Sequence, residues 1–318
     1  SIGSFNSLKN TLRFSTGKIN EGFTFSGRLS QINSDGYIDR ATSDLDAYFF
    51  QGTFQDESTL IKALVFGGQE VTYQAYWGID AVTLQTNRTY NTGGEIYNES
   101  GNRNDFYDNQ VDNYAQEHYQ FHWNERLNSN WNFTLGLNYT HGSGFYEEYN
   151  DLWYDQNISF SGATSFDYLQ LKPFTIGDTT ISDSENISQK WLDNDYYVIT
   201  LGLNYNTEDT SLNFGGLYSY YVGDHFGDLI WGQNLGEVLP NHRFYENLAI
   251  NNFYPETPGN NDSRHSNSQF SMLTHVCGVV RGPVVSHYMV RSTLCVHLPW
   301  GSLRPIFNFC NVGYRKLR

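Results

Sequence analysis

The sequence predicts an all-β protein: a partial antiparallel transmembrane β-barrel of about eight to ten strands, with long extracellular loops. Three observations predict it. Long segments alternate apolar and polar residues, and short and long connections alternate along the 318-residue chain. Phe, Trp and Tyr make up 17% of the residues, which suits a barrel with aromatic girdles.

The clearest predicted strand reads WNFTLGLNYTHG. Trp131, Phe133, Leu135, Leu137 and Tyr139 occupy alternate positions, and polar residues or glycine lie between them. A period of two places one set on each face of a strand. About ten residues is the length of a tilted strand that crosses a bilayer. We therefore predict that the leucines face lipid, the terminal aromatic residues lie at the two interfaces, and the polar residues face a lumen.

The other strands follow from the same pattern. No stretch of the sequence shows apolar residues that recur with the 3.6-residue period of a helix, so we predict no long helix. We predict eight strands before residue 224. In the segment 59–67, apolar residues occupy both odd and even positions. The sequence therefore does not indicate which face of this strand points outward. The remaining alternating segments are 8–15, 23–30, 47–54, 118–123, 196–205 and 212–220.

Connections of two kinds alternate along the chain. Loops longer than about 15 residues are uncommon in compact domains, whereas a membrane barrel has short turns at one end and long loops at the other. A soluble β-sandwich, the alternative, has strands of about 5–6 residues and short loops at both ends. The short connections are 16–22, 55–58, 126–130 and 206–211, and the long ones are 33–45, 68–113, 146–194 and 224–268.

Composition excludes several classes of function. The formal net charge is −15, and nucleic-acid binding requires a basic surface, so nucleic acid is not an expected partner. No run of 18 apolar residues is present, so no transmembrane helix is expected. The chain has no P-loop, no GxGxxG and no GxSxG motif. We expect no catalytic residue, no cofactor and no enzymatic activity.

The composition changes abruptly near residue 262, so we predict two regions, 1–261 and 262–318. The first is a partial barrel. Residues 263–318 contain seven Lys and Arg and no Asp or Glu, and the preceding residues hold the other 12 basic and all 34 acidic residues. The second region is either a small basic module or an out-of-frame translation. The sequence favours the out-of-frame explanation, because charge, Cys and Met usage all change at one point.

All three cysteines, Cys277, Cys295 and Cys310, lie in this basic tail. Their spacing matches no metal-binding motif, so no metal site is expected from them. A body of 262 residues without Cys suits an oxidising compartment outside the cytoplasm.

Several segments, read as an ordered series, carry a family resemblance. Together they resemble the barrel of TonB-dependent outer-membrane receptors of the Bacteroidetes type. The resemblance covers residues 1 to about 261. The segments are FNSLKNTLRFSTG (5–17), FSGRLSQINSDGYIDRATSDL (25–45), TLIKALVFGGQEVTYQAYWGI (59–79), YDNQVDNYAQEHYQFHW (107–123) and YYVGDHFGDLIW (220–231).

The resemblance implies a 22-strand barrel in the outer membrane of a Gram-negative bacterium, with a plug domain inside. Such a receptor takes up a scarce nutrient, often a ferric siderophore, when an inner-membrane energy-coupling complex pulls on the plug. Its partners are outer-membrane lipid and a small-molecule or chelated-metal ligand. This chain departs from the pattern: it lacks a plug, has too few strands, and ends NVGYRKLR without an aromatic terminal strand. We expect an internal barrel fragment that does not transport alone.

Two other functions remain open on the sequence. A secreted, aromatic-rich carbohydrate-binding β-domain has a similar composition, and a passive porin has the same barrel without a plug. Only the resemblance favours a receptor over a porin.

Candidate site residues fall into two groups. Loop aromatic residues stack on flat ligand groups, or else on one another; they are Tyr73, Tyr76, Trp77, Trp153, Tyr154, Phe226 and Trp231. Three basic residues alternate with the apolar residues of their strands: Lys9, Arg13 and Arg28. They face an anionic ligand in the lumen, or pair with carboxylates of the plug or wall. His118 and His122 are about 13 Å apart on one strand, too far to share a metal ion.

Overall fold

A computed structural model describes residues 1–20, 22–153, 164–208, 210–235 and 242–244, together with the backbone of three further strands within 265–309. The strands in chain order are β1 Leu8–Ser15, β2 Phe23–Ser34, β3 Ser43–Gln55, β4 Thr59–Tyr73, β5 Glu95–Tyr97, β6 Arg103–Phe106, β7 Val111–Arg126, β8 Trp131–Asn150, β9 Phe174–Ile176, β10 Thr179–Ile181, β11 Asn186–Asn206, β12 Thr210–Gly232, β13 His242–Phe244, β14 His265–Gly278, β15 Ser292–His297 and β16 Ile306–Phe309.

Eight of these strands form the body of the protein, and they are the eight predicted from the alternation. All but the first have 12 to 23 residues. That length is well beyond the usual 5–6 residues of a soluble sheet. The four short connections between them also lie where the sequence predicts.

One antiparallel sheet contains all the long strands. Each strand pairs with its neighbour in the chain, in the order β1-β2-β3-β4-β7-β8-β11-β12-β14-β15-β16, and β13 pairs with β12. The β8–β11 ladder runs without a register shift from Trp131 paired with Tyr205 to Asn150 paired with Asn186. A meander of this kind builds a barrel wall, whereas a sandwich divides its strands between two packed sheets.

The register defines two faces with different chemistry. Leu137 pairs with Phe121 on one side and Ile199 on the other, so the apolar residues of three strands share one face, which we call the outer face. Leu137 remains 39% exposed and Leu201 51% exposed, because no other layer covers them. The opposite, inner face carries polar side chains such as Gln120 and Asn138, which are hydrogen bonded to each other.

The structure settles the facing of β4, which the sequence leaves open. Val65 pairs with Tyr119 and therefore lies on the outer face. Leu64 and Phe66 have the opposite parity and lie on the inner face. Phe66 stacks on His118 there, with ring centroids 4.5 Å apart. The inner face is therefore polar with an apolar patch, which explains why both parities of this strand are apolar.

The long connections are shorter than predicted, because the strands continue into them. Between the long strands they span 35–42, 74–110 and 151–185. The upper part of β8, GSGFYEEYN, lacks apolar alternation, so periodicity alone could not extend the strand there. Where both faces of a strand contact polar surroundings, no period of two is required.

Small elements lie inside the long connections. The β5–β6 and β9–β10 hairpins form separate two-stranded sheets. Two short helices, α1 Ala81–Thr86 and α2 Ser165–Tyr168, complete the described elements, and Asp80 caps α1 by accepting hydrogen bonds from the amides of Val82 and Thr83. Within the described residues, no helix has the length and apolarity needed to span a membrane.

The apolar core is displaced from the sheet to one of its ends. Five buried side chains form it, and they come from the 151–185 connection, from β12 and from the residues after β12. They are Phe166, Leu169, Leu229, Leu235 and Phe244. Among the described residues, none forms a second layer on the outer face of the long strands, as expected where lipid replaces a protein core.

Candidate functional site

Acidic residues and a pair of arginines lie at different positions along the strands of the inner face. We call the end with the long connections the upper end and the end with the short turns the lower end. Among the described long strands, the inner-face acids lie at the upper ends of β4, β7 and β8: Glu70, Asp112 and Glu148. The guanidinium groups of Arg13 and Arg28 lie toward the lower end of the β1–β2 ladder, two residue pairs from its last pair.

The upper acids form an electronegative rim. Glu148 Oε2 lies 2.8 Å from Lys190 Nζ. Burial, and then the charge of Glu70, raise the pKa of the Asp112 carboxyl. Burial and the negative charge of Glu148 raise the pKa of the Tyr76 hydroxyl to about 12. The rim therefore favours neutral hydrogen-bond donors and cations over bare anions.

Tyr76 and Trp77 lie in a long connection, where the sequence predicts them. Their rings stack with centroids 4.2 Å apart, in the connection that follows β4. Tyr76 is 65% exposed, and Trp77 is 37% exposed. They form a flat aromatic surface next to the acidic rim, which is a suitable platform for stacking.

Three predicted loop residues lie on strands instead. Tyr73 is the last residue of β4 and is only 7% exposed; its hydroxyl donates to the carbonyls of Gly93 and Tyr107. Phe226 and Trp231 lie within β12, which continues through Gly232. The prediction of a loop position was wrong for these three, because the alternation that marks a strand stops before the strand does.

Phe226 and Trp231 also have ring partners on the outer face. Phe226 stacks on Trp191 at 6.0 Å, and the Arg243 guanidinium lies 3.8 Å from its ring centroid. Trp231 stacks on Tyr149. These rings do not point toward the inner wall.

Trp153 contacts the β5–β6 hairpin of a neighbouring connection. Its ring stacks on Tyr97, with centroids 5.1 Å apart. Tyr154 lies outside the described residues.

Lys9, Arg13 and Arg28 all lie on the inner face. Gly27 has the opposite parity to Arg28, and a Cβ at Gly27 would contact the rings of Phe14 and Phe50, which places Gly27 on the outer face. Arg13 pairs directly with Arg28 across the β1–β2 ladder. Like charges placed directly opposite each other destabilise a sheet, so this pair suggests a role for a counter-charge.

A polar concavity of about 610 Å³ occupies the inner wall of β7, β8, β11 and β12. One ring nitrogen of His118 is hydrogen bonded to Thr140 Oγ1 at 2.9 Å. A ring nitrogen of His122 is hydrogen bonded to the side chain of Gln120. Among the described residues, no group of three His, Cys, Asp or Glu is arranged to hold a metal ion. The lining offers hydrogen bonds and little charge.

Sequence reasoning missed the residue that joins the long connections. Arg40 adopts a left-handed backbone conformation with φ of 62°. Its guanidinium donates to the carbonyls of Asn91 and Gly93 and lies 3.5 Å from the ring centroid of Phe106. No motif in the sequence marks such a residue, since its role depends on contacts 50 to 66 positions away.

A buried carboxylate anchors the same connection to the sheet. Glu147, on β8, is 5% exposed. It accepts hydrogen bonds from the Tyr107 hydroxyl at 2.6 Å, from Asn109, and from Gln189 Nε2 at 2.6 Å. Burial and this carboxylate raise the pKa of Tyr107. The rim is therefore held in place by polar contacts with the upper ends of the strands.

The outer face carries a row of tyrosines. Tyr119, Tyr139, Tyr197 and Tyr220 lie side by side on four consecutive strands, with ring centroids 5.9, 4.8 and 6.3 Å apart. Tyr139 donates to Asp195 at 2.7 Å. Eight residues separate Tyr139 from Trp131, which is about 26 Å along a strand. Aromatic residues at both ends of an apolar band are typical of an outer-membrane barrel.

Known structures share this architecture. The siderophore receptor PiuA from Acinetobacter baumannii aligns with 96% of this chain at 12% identity and a TM-score of 0.51. The fold is that of an outer-membrane receptor barrel. The closed form of the ferric-catecholate import receptor Fiu from E. coli K12 aligns with 98% of the chain at 10% identity, also with a TM-score of 0.51. The TonB-dependent receptor fold predicted from the resemblance is confirmed.

The chain spans less than half of either receptor barrel protein: 43% of PiuA and 45% of Fiu. It therefore corresponds to part of such a barrel. No family model matches the chain, and no curated protein matches it by sequence.

Proposed function

We propose that the chain is part of an outer-membrane receptor that imports a scarce nutrient by energy-coupled transport. One observation carries the proposal: a single antiparallel sheet with an exposed apolar outer face and a polar inner face aligns with siderophore receptors over nearly its whole length. The apolar outer band suits contact with lipid and supports a location in the outer membrane of a Gram-negative bacterium.

The ligand class follows from the same comparison and from the rim. PiuA is a siderophore receptor and Fiu a ferric-catecholate import receptor, so a chelated metal ion is the first ligand to test. Tyr76 and Trp77 offer a stacking surface for a flat chelator. The acidic rim beside them favours a chelate that is neutral or cationic at its periphery.

Energy coupling is the part of the proposal that separates a receptor from a porin. It requires a plug domain in the lumen and an inner-membrane coupling complex, both implied by the sequence resemblance. Assignment to the Bacteroidetes type likewise rests on the resemblance alone.

Iron uptake by cells that express the intact parent gene tests the proposal. We expect cells that express it to accumulate radioactive iron from one member of a panel of ferric siderophores, and to lose that uptake when the coupling complex is deleted. Uptake that persists without the coupling complex would indicate a porin. Binding of glycans, with no iron uptake, would indicate the carbohydrate-binding alternative.

Replacement of the aromatic platform tests the ligand site. We expect Tyr76→Ala/Trp77→Ala to weaken ligand binding by tenfold or more, since base–aromatic stacking of comparable flat groups is worth about 1–3 kcal/mol. Phe226→Ala is the matched control, because its ring stacks on Trp191 on the outer face. Equal losses in both variants would remove Tyr76 and Trp77 from the site.

A further inference from the structure

The lower inner wall carries a pair of arginines without an acidic partner. Arg13 and Arg28 are directly opposite on neighbouring strands, and both side chains are exposed. Within the part of the chain that the structure describes, neither guanidinium makes a hydrogen bond or an ion pair, and the four ion pairs found there involve other residues. Two positive charges held this close require a compensating anion.

The described surroundings of the pair supply further donors and no carboxylate. Ser15 and Ser26 form the next inner-face pair of the same ladder. Phe49, on β3, pairs with Arg28 and bounds the site on the inner face. Together with the two arginines, these residues line a concavity of about 740 Å³. Phe14 and Gly27 complete the lining, which therefore offers two guanidinium groups and two hydroxyls beside two aromatic residues.

The acids of the inner face are too far away to neutralise the pair. The row that contains Glu70 runs through Leu45 and Ile32 to Lys9. Lys9 precedes Arg13 by four residues, which is about 13 Å along a strand. That distance exceeds the screening length of about 8 Å at physiological ionic strength. Among the described residues, the inner wall therefore supplies no counter-charge within this distance.

We propose that Arg13 and Arg28 form an oxyanion-binding site on the inner wall, which takes a group with at least two acceptor oxygens, such as a carboxylate. A guanidinium presents its N–H donors in a planar fork that matches a carboxylate or phosphate. The two guanidinium groups, which lie opposite each other across the ladder, bind such a group together. The serine hydroxyls donate hydrogen bonds to its remaining lone pairs.

The oxyanion has two possible sources with the same chemistry: a free small-molecule anion, or an Asp or Glu of a protein segment that lies in the lumen. The site lies two residue pairs from the lower end of its ladder, far from the rim at the upper end. The inference rests on the proposed function only in that this face lines a lumen, and the site can be tested without transport.

Anion titration tests the first source. The full-length protein in nonionic detergent is titrated calorimetrically with inorganic phosphate and with citrate. We expect Arg13→Gln/Arg28→Gln to weaken binding of at least one of these anions by tenfold or more. Lys62→Gln/Arg126→Gln removes two positive charges from the same face without touching the pair, and should stay within threefold of the parent. Near-UV circular dichroism identifies any variant that fails to fold.

Cross-linking tests the second source. In Arg13→Lys/Arg28→Lys, a carbodiimide activates a neighbouring carboxylate. The lysine Nζ attacks the activated carbonyl carbon and an amide bond forms. The carboxyl oxygen leaves as part of the urea derived from the carbodiimide. Mass spectrometry then identifies the acid joined to position 13 or 28. A cross-link to an Asp or Glu of the protein, with no anion binding by the parent, assigns the protein source.

Two outcomes overturn the proposal. One is the absence of both anion binding and a cross-link, and the other is an equal loss of binding in the control Lys62→Gln/Arg126→Gln. Failure of iron uptake while the arginine-dependent anion binding persists would instead count against the proposed function and leave the site standing.

Discussion

Arg40 holds two long connections together through a single guanidinium. We expect Arg40→Ala to expose the 74–110 connection, because the carbonyl of Asn91 loses the Arg40 donor, the carbonyl of Gly93 keeps only the Tyr73 hydroxyl, and Phe106 keeps only the more distant Arg103. Hydrogen bonds to charged groups are worth about 1.5–3 kcal/mol each, so limited proteolysis within this connection should accelerate roughly tenfold or more.

The conservative variant Arg40→Lys distinguishes charge from shape. A lysine keeps the charge and lacks the planar fork, so we expect protease sensitivity close to that of the alanine variant. Protection equal to the parent would show that charge alone secures the connection.

Tyrosines above the membrane make the rim sensitive to alkaline pH. The folded state raises the pKa of Tyr107 and Tyr149, first through burial and then through their hydrogen bonds to Glu147 and Glu185. A raised pKa means that the folded state favours the neutral phenol. The resulting stabilisation is complete below the ordinary value of about 10 and is lost as the pH rises above it.

We therefore expect the connections to become protease-sensitive between about pH 10 and pH 12. Tyr107→Phe/Tyr149→Phe removes the two ionisable hydroxyls and should flatten the pH dependence, at the cost of lower protection at neutral pH. An unchanged alkaline transition in this variant would assign the effect to other groups.

At the scale of a strand, β8 allows a comparison of the two faces at adjacent residues. We expect Leu137→Arg to destabilise the full-length protein in lipid vesicles by roughly 2–4 kcal/mol, because an arginine on the lipid face must leave water. Asn138→Arg, on the inner face, is the matched control and should cost much less. Urea unfolding measures both, and equal costs would mean that the facing is assigned wrongly.

Sequence alone predicts the strands where one face meets lipid, and fails where that asymmetry ends. Leu135 and Leu137 alternate with polar residues because only one side of β8 is apolar, so this strand could be predicted. Tyr73 and Phe226 belong to strand regions with mixed surroundings on both faces, and no periodicity marks them. The role of Arg40 depends on long-range contacts, which composition and spacing do not encode.

For the whole molecule, the open question is the region after residue 261. The backbone of β14 pairs with β12 from Gly223 to Thr210, so a strand follows where a barrel requires one. The division at residue 261 stays a prediction. We expect sequencing of the parent gene across codon 262 to show that a one-base shift restores an acidic, alternating strand. An uninterrupted frame with the present residues would establish the basic tail as genuine.

The tyrosine row on the outer face has an optical consequence. Phenol rings 4.8 to 6.3 Å apart, held at fixed mutual angles, couple their electronic transitions. Near-UV circular dichroism reports such fixed aromatic packing and disappears when packing is lost. Because the four rings belong to four different strands, their shared signal arises only after β7, β8, β11 and β12 have come into register. The protein thus contains its own unlabelled reporter of wall assembly, which a stopped-flow spectropolarimeter could follow as the chain inserts into lipid.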